Sequence, residues 1–261
     1  MKYDHELEFA RRTVELAGEN AVQIRRSGIS AEMKEDSTPV TRADRDNEAL
    51  IRQRIESEFP EDGILGEEGS QKEAIGTRRW IFDPIDGTRD FLRGTRFWCV
   101  LMALEEEAQI KVGVAHFPLL QETYWAVRGS GAYLNGVRIR ASEIDDLRAS
   151  AFSPNGLYLP EARQYLPRIM ELMQNSWAVR SYGGSLDACM LAAGKVEIWF
   201  KPKAEVWDLA PMKIIIEESG GAFLALDGSQ RIDRGSALGC APGVLDKVCH
   251  ALGIQRAVKE L

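Results

Sequence analysis

Histidine and cysteine are scarce in this chain. Its 261 residues include three histidines and four cysteines. His5, His116 and His250 form no close pair with each other or with a cysteine, which argues against a zinc centre. Cys99, Cys189, Cys240 and Cys249 are too few to frame a disulfide-stapled domain. No run approaches the roughly 18 uninterrupted apolar residues of a membrane-crossing helix. The polar start Met1-Lys2-Tyr3-Asp4-His5-Glu6 lacks the apolar stretch of a signal peptide. Basic charge is the minority sign: 33 Lys and Arg stand against 40 Asp and Glu, a formal net charge of −7. An acidic surface repels a polyphosphate backbone and no basic stripe relieves it, so neither a nucleic-acid nor a membrane partner is expected. There is no Gly-x-Ser-x-Gly elbow for a serine nucleophile. Gly194-Lys195 runs into Val196 rather than completing a phosphate-binding P-loop, and Gly129-Ser130-Gly131 has Leu134 where a dinucleotide fingerprint needs its last glycine. These absences lead one to expect a soluble, cytoplasmic chain of enzyme size. With 44% hydrophobic residues it can bury a sizeable core, in one large domain or two closely packed ones.

Local patterns give the architecture. Leu7, Ala10, Val14, Ala17, Ala21 and Ile24 recur at steps of three and four, which predicts an amphipathic first helix. Gly28 and the polar stretch 34–39 break that pattern. Thr41 reads as the cap of a second helix, with Asp44 three residues on, running through Leu50, Ile51 and Ile55 to Phe59-Pro60. From residue 80 the texture turns to strands: Trp80-Ile81-Phe82, Phe97 to Leu104, Ile110 to Phe117 and Glu122 to Val127. Asn135-Gly136 is a hairpin turn. That succession predicts an antiparallel sheet with flanking helices. After about residue 141 strands and helices alternate. Strands fall near 149–152, 177–180 and 196–200. Helices fall near 162–173, through Leu186 to Gly194, and over 207–219 before Gly220-Gly221. No repeat or flexible linker separates an N-terminal α+β half, 1–140, from a C-terminal α/β half, 141–261, so the two are expected to share an interface. The fold class is α/β or α+β in two or more packed layers.

Three acidic clusters stand where acids are structurally awkward. Gly66-Glu67-Glu68 follows the apolar Ile64-Leu65, Asp83-Pro84-Ile85-Asp86-Gly87-Thr88 ends an apolar strand, and Trp207-Asp208 opens an apolar helix. Pro84 fixes the turn between Asp83 and Asp86, so two carboxylates project from a rigid edge. Gly87 allows close backbone approach, and Thr88 reads as the cap of a short helix. Carboxylates facing one point raise each other's pKa unless a cation lies between them. Oxygen ligands suit Mg²⁺, above all where phosphate oxygens complete its shell. A helix N-terminus supplies amides for that phosphate. Metal, phosphate cradle and a hydroxyl beside a carboxylate make the kit for phosphoester hydrolysis. Ordinary capping accounts for each acid separately, with Asp208 as an N-cap and Asp83 and Asp86 as turn residues, but not for all of them together.

These segments, with the hairpin Gly129 to Gly136 and the helix from Val206 to Gly221, resemble the inositol monophosphatase family of Mg²⁺-dependent, lithium-sensitive phosphatases. The likeness runs from the first helix to Gly221. It implies a layered αβαβα sandwich of the inositol monophosphatase and fructose-1,6-bisphosphatase type, as a homodimer, acting on a small phosphorylated metabolite. It also implies about two to three Mg²⁺ ions per site. By the same resemblance Glu67, Asp83 and the Ile85 carbonyl hold one ion, and Asp83, Asp86 and Asp208 hold a second. A third, weaker ion leans on Glu67 through water. Thr88, helped by Glu67 and Asp44, orients a metal-activated water, and the amides of Gly87 and Thr88 hold the phosphate.

Substrate identity is the open part of this reading. Inositol 1-phosphate is the default. Family members that act on it carry an acid seven residues before the Trp-Asp aspartate, where this chain has Lys201. Histidinol-phosphate phosphatases of the family also tend to carry an acid there, and a lysine would repel the amine of that substrate. Gly183-Gly184-Ser185-Leu186 has some likeness to the bisphosphate nucleotidases, in which Lys201 or Lys203 would meet a second phosphate. Equally, both lysines read as solvated surface residues. Substrate contacts are therefore expected from Asp86, Gly87, Thr88, Gly184, Ser185, Lys201 and Asp208. From another class comes a regulatory binding protein that kept the fold and lost catalysis. Its mark would be a missing metal ligand, and none is missing.

Overall fold

The three-four spacing of the first segment closes into α1, Asp4–Arg26, whose buried face carries Leu7, Ala10, Val14, Ala17 and Ala21. This computed structural model describes residues 2–28, 31–33 and 39–257, so the polar break at 34–38 lies outside the described residues. A ribbon of β1 (Ala31–Met33) and β2 (Pro39–Thr41) leads to α2, Arg42–Glu58. Thr41 caps α2 as its sequence predicts. Its hydroxyl accepts from the Ala43 and Asp44 amides, and the Thr41 amide donates to Asp44 Oδ2 at 2.7 Å, a reciprocal capping box.

Next come β3 (Gly63–Gly66), β4 (Gln71–Lys72), β5 (Arg78–Asp86) and a short α3 (Thr88–Arg93). A meander of β6 (Cys99–Glu106), β7 (Gln109–Phe117), β8 (Glu122–Val127), β9 (Gly131–Leu134) and β10 (Val137–Ile139) follows. These strands form one eight-stranded sheet in the order β10-β9-β8-β7-β6-β5-β3-β4, antiparallel except where β3 lies beside β5. The turn between β9 and β10 is Asn135-Gly136, both at positive φ (49° and 81°), which suits a tight hairpin. The remaining elements are β11 (Ala151–Pro154), α4 (Leu166–Gln174), β12 (Ala178–Val179), α5 (Gly184–Ala192), β13 (Ile198–Lys201), α6 (Val206–Glu218), β14 (Ala222–Leu224), β15 (Ala237–Cys240) and α7 (Leu245–Leu252). Their strands make a five-stranded sheet in the order β12-β11-β13-β15-β14. The helix expected over 162–173 is split. Residues Pro160–Tyr165 form a 3-10 helix, because Pro167 cannot donate back to residue 163 and its ring would crowd that carbonyl.

Side-chain alternation assigns the layers. Val100, Met102 and Leu104 of β6 join Trp80, Phe82, Val112 and Val114 against α1 and against Ile51 and Ile55 of α2. The intervening Cys99, Leu101 and Ala103 face Leu186 and Leu191 of α5 and Leu209 and Ile214 of α6. Trp199, Phe223 and Ala237 of the second sheet enter that same core. The far face of the second sheet, with Phe152, Phe200 and Leu238, packs on Ile169 and Leu172 of α4 and on Val248 of α7. The order is αβαβα, as the resemblance implied. Enclosed between two sheets, α6 is buried from Leu209 to Ile216 at every position but Lys213, which pairs with Glu217 one turn on. Gly113 allows that approach, since a Cβ there would lie 2.4 Å from Ile214 Cγ2.

Candidate active site

β3 and β5 run parallel, and β3 ends at Gly66 opposite Phe82, just before Asp83 on β5. Groups just past the carboxyl ends of neighbouring parallel strands share one crevice. β3 delivers Glu67 and Glu68 to that place. β5, buried from Trp80 to Ile85, delivers Asp83 and Asp86. Three positions apart, these two would face opposite sides of a regular strand. The register against β6 shifts between them, where Pro84 has no amide for the ladder. Their carboxylates thereby come within 4.8 Å of each other and of Asp208. Asp208 crosses from the other half of the chain on the first turn of α6. It is not the N-cap: Glu205 is, and the Glu205 amide donates to Asp208 Oδ2 at 3.1 Å. Asp208 thus closes a capping box from inside the helix while facing the other two acids.

Charge crowding follows directly. Asp83 is 2% exposed, and burial, followed by Glu67, Asp86 and Asp208, pushes its carboxyl well above the usual range. Glu67 also hydrogen-bonds the Asp83 side chain. Asp86 is raised too, by burial; Lys201 opposes the rise, and Ser185 and Cys99 hydrogen-bond it. Asp83 Oδ1 accepts the Ile85 amide at 2.8 Å, which fixes the turn at Pro84. The donor set is hard oxygen. Among the described residues no histidine joins it, and the nearby Cys99 thiol is pushed well up by burial, away from the thiolate form a soft metal would need. These residues fit Mg²⁺ and do not fit zinc.

The beginning of α3 differs from the sequence expectation. Its cap is Gly87, at φ 87°, and no side chain caps it. A left-handed cap costs about 1 kcal/mol in any residue with a Cβ. Glycine therefore takes that position, and Thr88 moves one residue inward. The Thr88 hydroxyl turns back instead, 3.2 Å from the Ile85 carbonyl and 3.3 Å from Asp44 Oδ1. Asp44 is wholly buried. Burial pushes its carboxyl up, and hydrogen bonds from Thr41 pull it down.

The C-terminal half supplies the opposite wall. Ser185, on the first turn of α5, hydrogen-bonds Asp86. Lys201, at the end of β13, places Nζ 3.1 Å from Asp208 Oδ2. Gly184 lies against that ammonium. Lys203 is exposed and stands 3.6 Å from Glu161. One of the two lysines thus enters the cluster and the other is solvated. The structure gathers Asp44, Glu67, Asp83, Ile85, Asp86, Gly87, Thr88, Gly184, Ser185, Lys201 and Asp208 into one region.

Two buried acids that brace the loops of the site, Glu48 and Asp187, were missed in the sequence. Glu48 Oε1 accepts the Ser70 amide at 2.7 Å and so braces the loop that carries Glu67 and Glu68. Its signal was present, because Asp44, Glu48, Ile51 and Ile55 continue one stripe at steps of four, three and four. Asp187 accepts from Asn155 Nδ2 at 2.8 Å and from the amides of Tyr182 and Gly183 at 3.1 and 3.3 Å. Asn155 in turn accepts from Trp199 Nε1 at 2.7 Å. This network fixes the loop that leads into Gly184, and no local pattern marks it.

A sandwich of this order, with acids from two strand ends and a helix start packed beside a threonine hydroxyl, defines a phosphoric monoester hydrolase. The chain belongs to the inositol monophosphatase family, whose profile matches residues 3–259. It is 40% identical to a histidinol-phosphatase of Mycobacterium tuberculosis, over 80% of this chain and 83% of that protein. It is 31% identical to an inositol-1-monophosphatase of Rhizobium meliloti, over 89% and 86% of the two chains. Its fold is similar to that of the Thermotoga maritima IMPase, with a TM-score of 0.86 at 29% identity, covering 95% and 97% of the two chains. Among the described residues, no helix is long and apolar enough to cross a membrane.

Proposed function

We propose that the protein is a Mg²⁺-dependent phosphomonoesterase acting on histidinol phosphate. The observation that carries the metal chemistry is the approach of Asp83, Asp86 and Asp208 within 4.8 Å around a buried carboxylate. Glu67, Asp83 and the Ile85 carbonyl would hold one ion, and Asp83, Asp86 and Asp208 a second. Ions bound there would supply positive charge to the phosphoryl group and lower the pKa of an attacking water. Thr88 donates its hydroxyl proton toward Asp44 Oδ1 and keeps an oxygen lone pair with which to orient that water. Glu67, which hydrogen-bonds Asp83, would take the proton the water gives up. The amides of Gly87 and Thr88, at the start of α3, would receive the phosphate oxygens. Residues 1–140 thus bring the metal and phosphate groups, and residues 141–261 bring Asp208 and the wall around the leaving group. About two to three ions per site and a homodimer complete the proposal, in line with the family resemblance.

Higher identity to the histidinol-phosphatase than to the inositol-1-monophosphatase supports an amino-alcohol phosphate as substrate. The objection from sequence was repulsion between Lys201 and the amine. Its ammonium is paired with Asp208 inside the cluster, and that pairing offsets the charge a substrate amine would meet. Inositol 1-phosphate is the second reading, favoured by the Rhizobium relative and the Thermotoga fold match. A phosphate-release panel separates them. Histidinol phosphate, inositol 1-phosphate and a 3′,5′-bisphosphate nucleotide are compared with Mg²⁺ and with chelator. The expected result is the highest kcat/KM on histidinol phosphate and no release under chelation. A preference for inositol 1-phosphate would establish the second reading, and release from none of them would overturn the assignment.

A further inference from the structure

β13 ends at Lys201, whose side chain turns into the sandwich and keeps only 16% of its surface exposed. Lysine is among the residues least often buried, and an ammonium leaves water only for compensating charge. Asp208 provides it at 3.1 Å, with Asp86 and Asp83 also acting on the same ammonium. Those three carboxylates are the ones that lie within 4.8 Å of one another. The lysine therefore draws on the charge that a divalent ion would use.

Space has been left for it. A Cβ on Gly184 would stand 2.9 Å from Lys201 Nζ. Gly184 is the first residue of α5 and is not among the positive-φ glycines, so the backbone does not demand glycine there. Its missing side chain makes room for the ammonium.

We infer that Lys201 is a tethered cation of the carboxylate cluster, sharing Asp208 with the ion held by Asp83, Asp86 and Asp208 and competing with it. The inference rests on the proposed metal site and adds a property to it. One positive charge is always present, so the acids stay assembled, and the second ion enters against a like charge. A purely structural ion pair predicts the reverse, because deleting the lysine would loosen Asp208 and weaken metal binding.

Mn²⁺ serves as the probe, with free ion followed by electron paramagnetic resonance and no turnover needed. In Lys201→Gln the second Mn²⁺ step, the one that uses Asp208, should tighten by about tenfold or more, the scale of one unit charge at close range. Lys201→Arg should stay near the wild type. Gly184→Ala, which displaces the ammonium without deleting it, should tighten the same step several-fold, and it decides the matter if Lys201→Gln does not fold. Unchanged or weaker binding in both Lys201→Gln and Gly184→Ala overturns the inference while leaving the metal site intact. No Mn²⁺ binding by any form removes the metal site, and the inference with it.

Discussion

Asp83→Asn sets the stability of the protein against its chemistry. Asp83 is 2% exposed and crowded by Glu67, Asp86 and Asp208. Two unit charges at most 4.8 Å apart repel by at least about 3 kcal/mol at an effective dielectric constant of about 20. A carboxyl under that pressure can escape by binding a proton. At pH 7 its penalty is therefore capped near the cost of protonating an ordinary carboxylate, about 4 kcal/mol for roughly 3 pH units. Asparagine keeps the shape, and its Oδ1 can still accept the Ile85 amide. Without divalent ions, Asp83→Asn should be more stable than the wild type by about 1–4 kcal/mol, at roughly 2–4 °C of Tm per kcal/mol. With Mg²⁺ the order should reverse, since only the wild type gains binding free energy on folding. Phosphate release should be nearly abolished. Thermal melts with chelator and with Mg²⁺, paired with a phosphate assay, give both readouts. A variant less stable under chelator, or one that keeps a full Mg²⁺-induced rise in Tm, would refute the reasoning.

Other perturbations probe the surroundings. Burial raises the folded-state pKa values of Asp83, Asp86 and Asp44, so the folded chain binds more protons than the unfolded one above about pH 4; melts under chelator should lose stability as pH rises through that window, and saturating Mg²⁺ should remove the part due to Asp83 and Asp86. His116 works in the opposite sense: burial lowers its pKa to about 4, so about 3 kcal/mol present above pH 6.5 is lost as pH falls toward 4, and His116→Gln should flatten that loss. Gly66→Ala puts a Cβ 2.4 Å from Glu48 Oε1 and 2.8 Å from Phe82 Cζ; it should cost about 1–3 kcal/mol in a melt and reduce phosphate release by shifting Glu67. Asp187→Ala leaves the Tyr182 and Gly183 amides without their acceptor and Asn155 Nδ2 with Ser181 alone; a loss of about 2–4 kcal/mol is expected, with KM rising more than kcat falls.

Local features were the legible ones. The capping box of Thr41 and Asp44, the Asn135-Gly136 turn and the α1 stripe each depend on residues within one or two turns of chain, and each formed as its spacing predicts. Thr88 shows the limit of that logic. It has the residue type of a cap, but the backbone at Gly87 demands a left-handed residue, and that requirement outranks side-chain preference. Lys201 shows another limit. Sequence left it between solvent and site, and only the meeting of β13 with the start of α6 puts its ammonium on Asp208. The gathering of Asp208 with Asp83 and Asp86 is likewise a product of the two-sheet sandwich. Periodicity could not place it, and the family resemblance could. Glu48 and Asp187 stayed hidden because an acid in a sequence reads as surface until the layers that bury it are known.

Phosphate hydrolysis is proposed to depend on a metal centre formed by Asp83, Asp86 and Asp208 together with Glu67. Anomalous diffraction from a Mn²⁺-soaked crystal of active protein locates the ions themselves. Manganese peaks are expected about 2.0–2.3 Å from the Asp83, Asp86 and Asp208 oxygens, with Lys201 Nζ drawn off Asp208. An active crystal with no manganese peak among those carboxylates would contradict the claim.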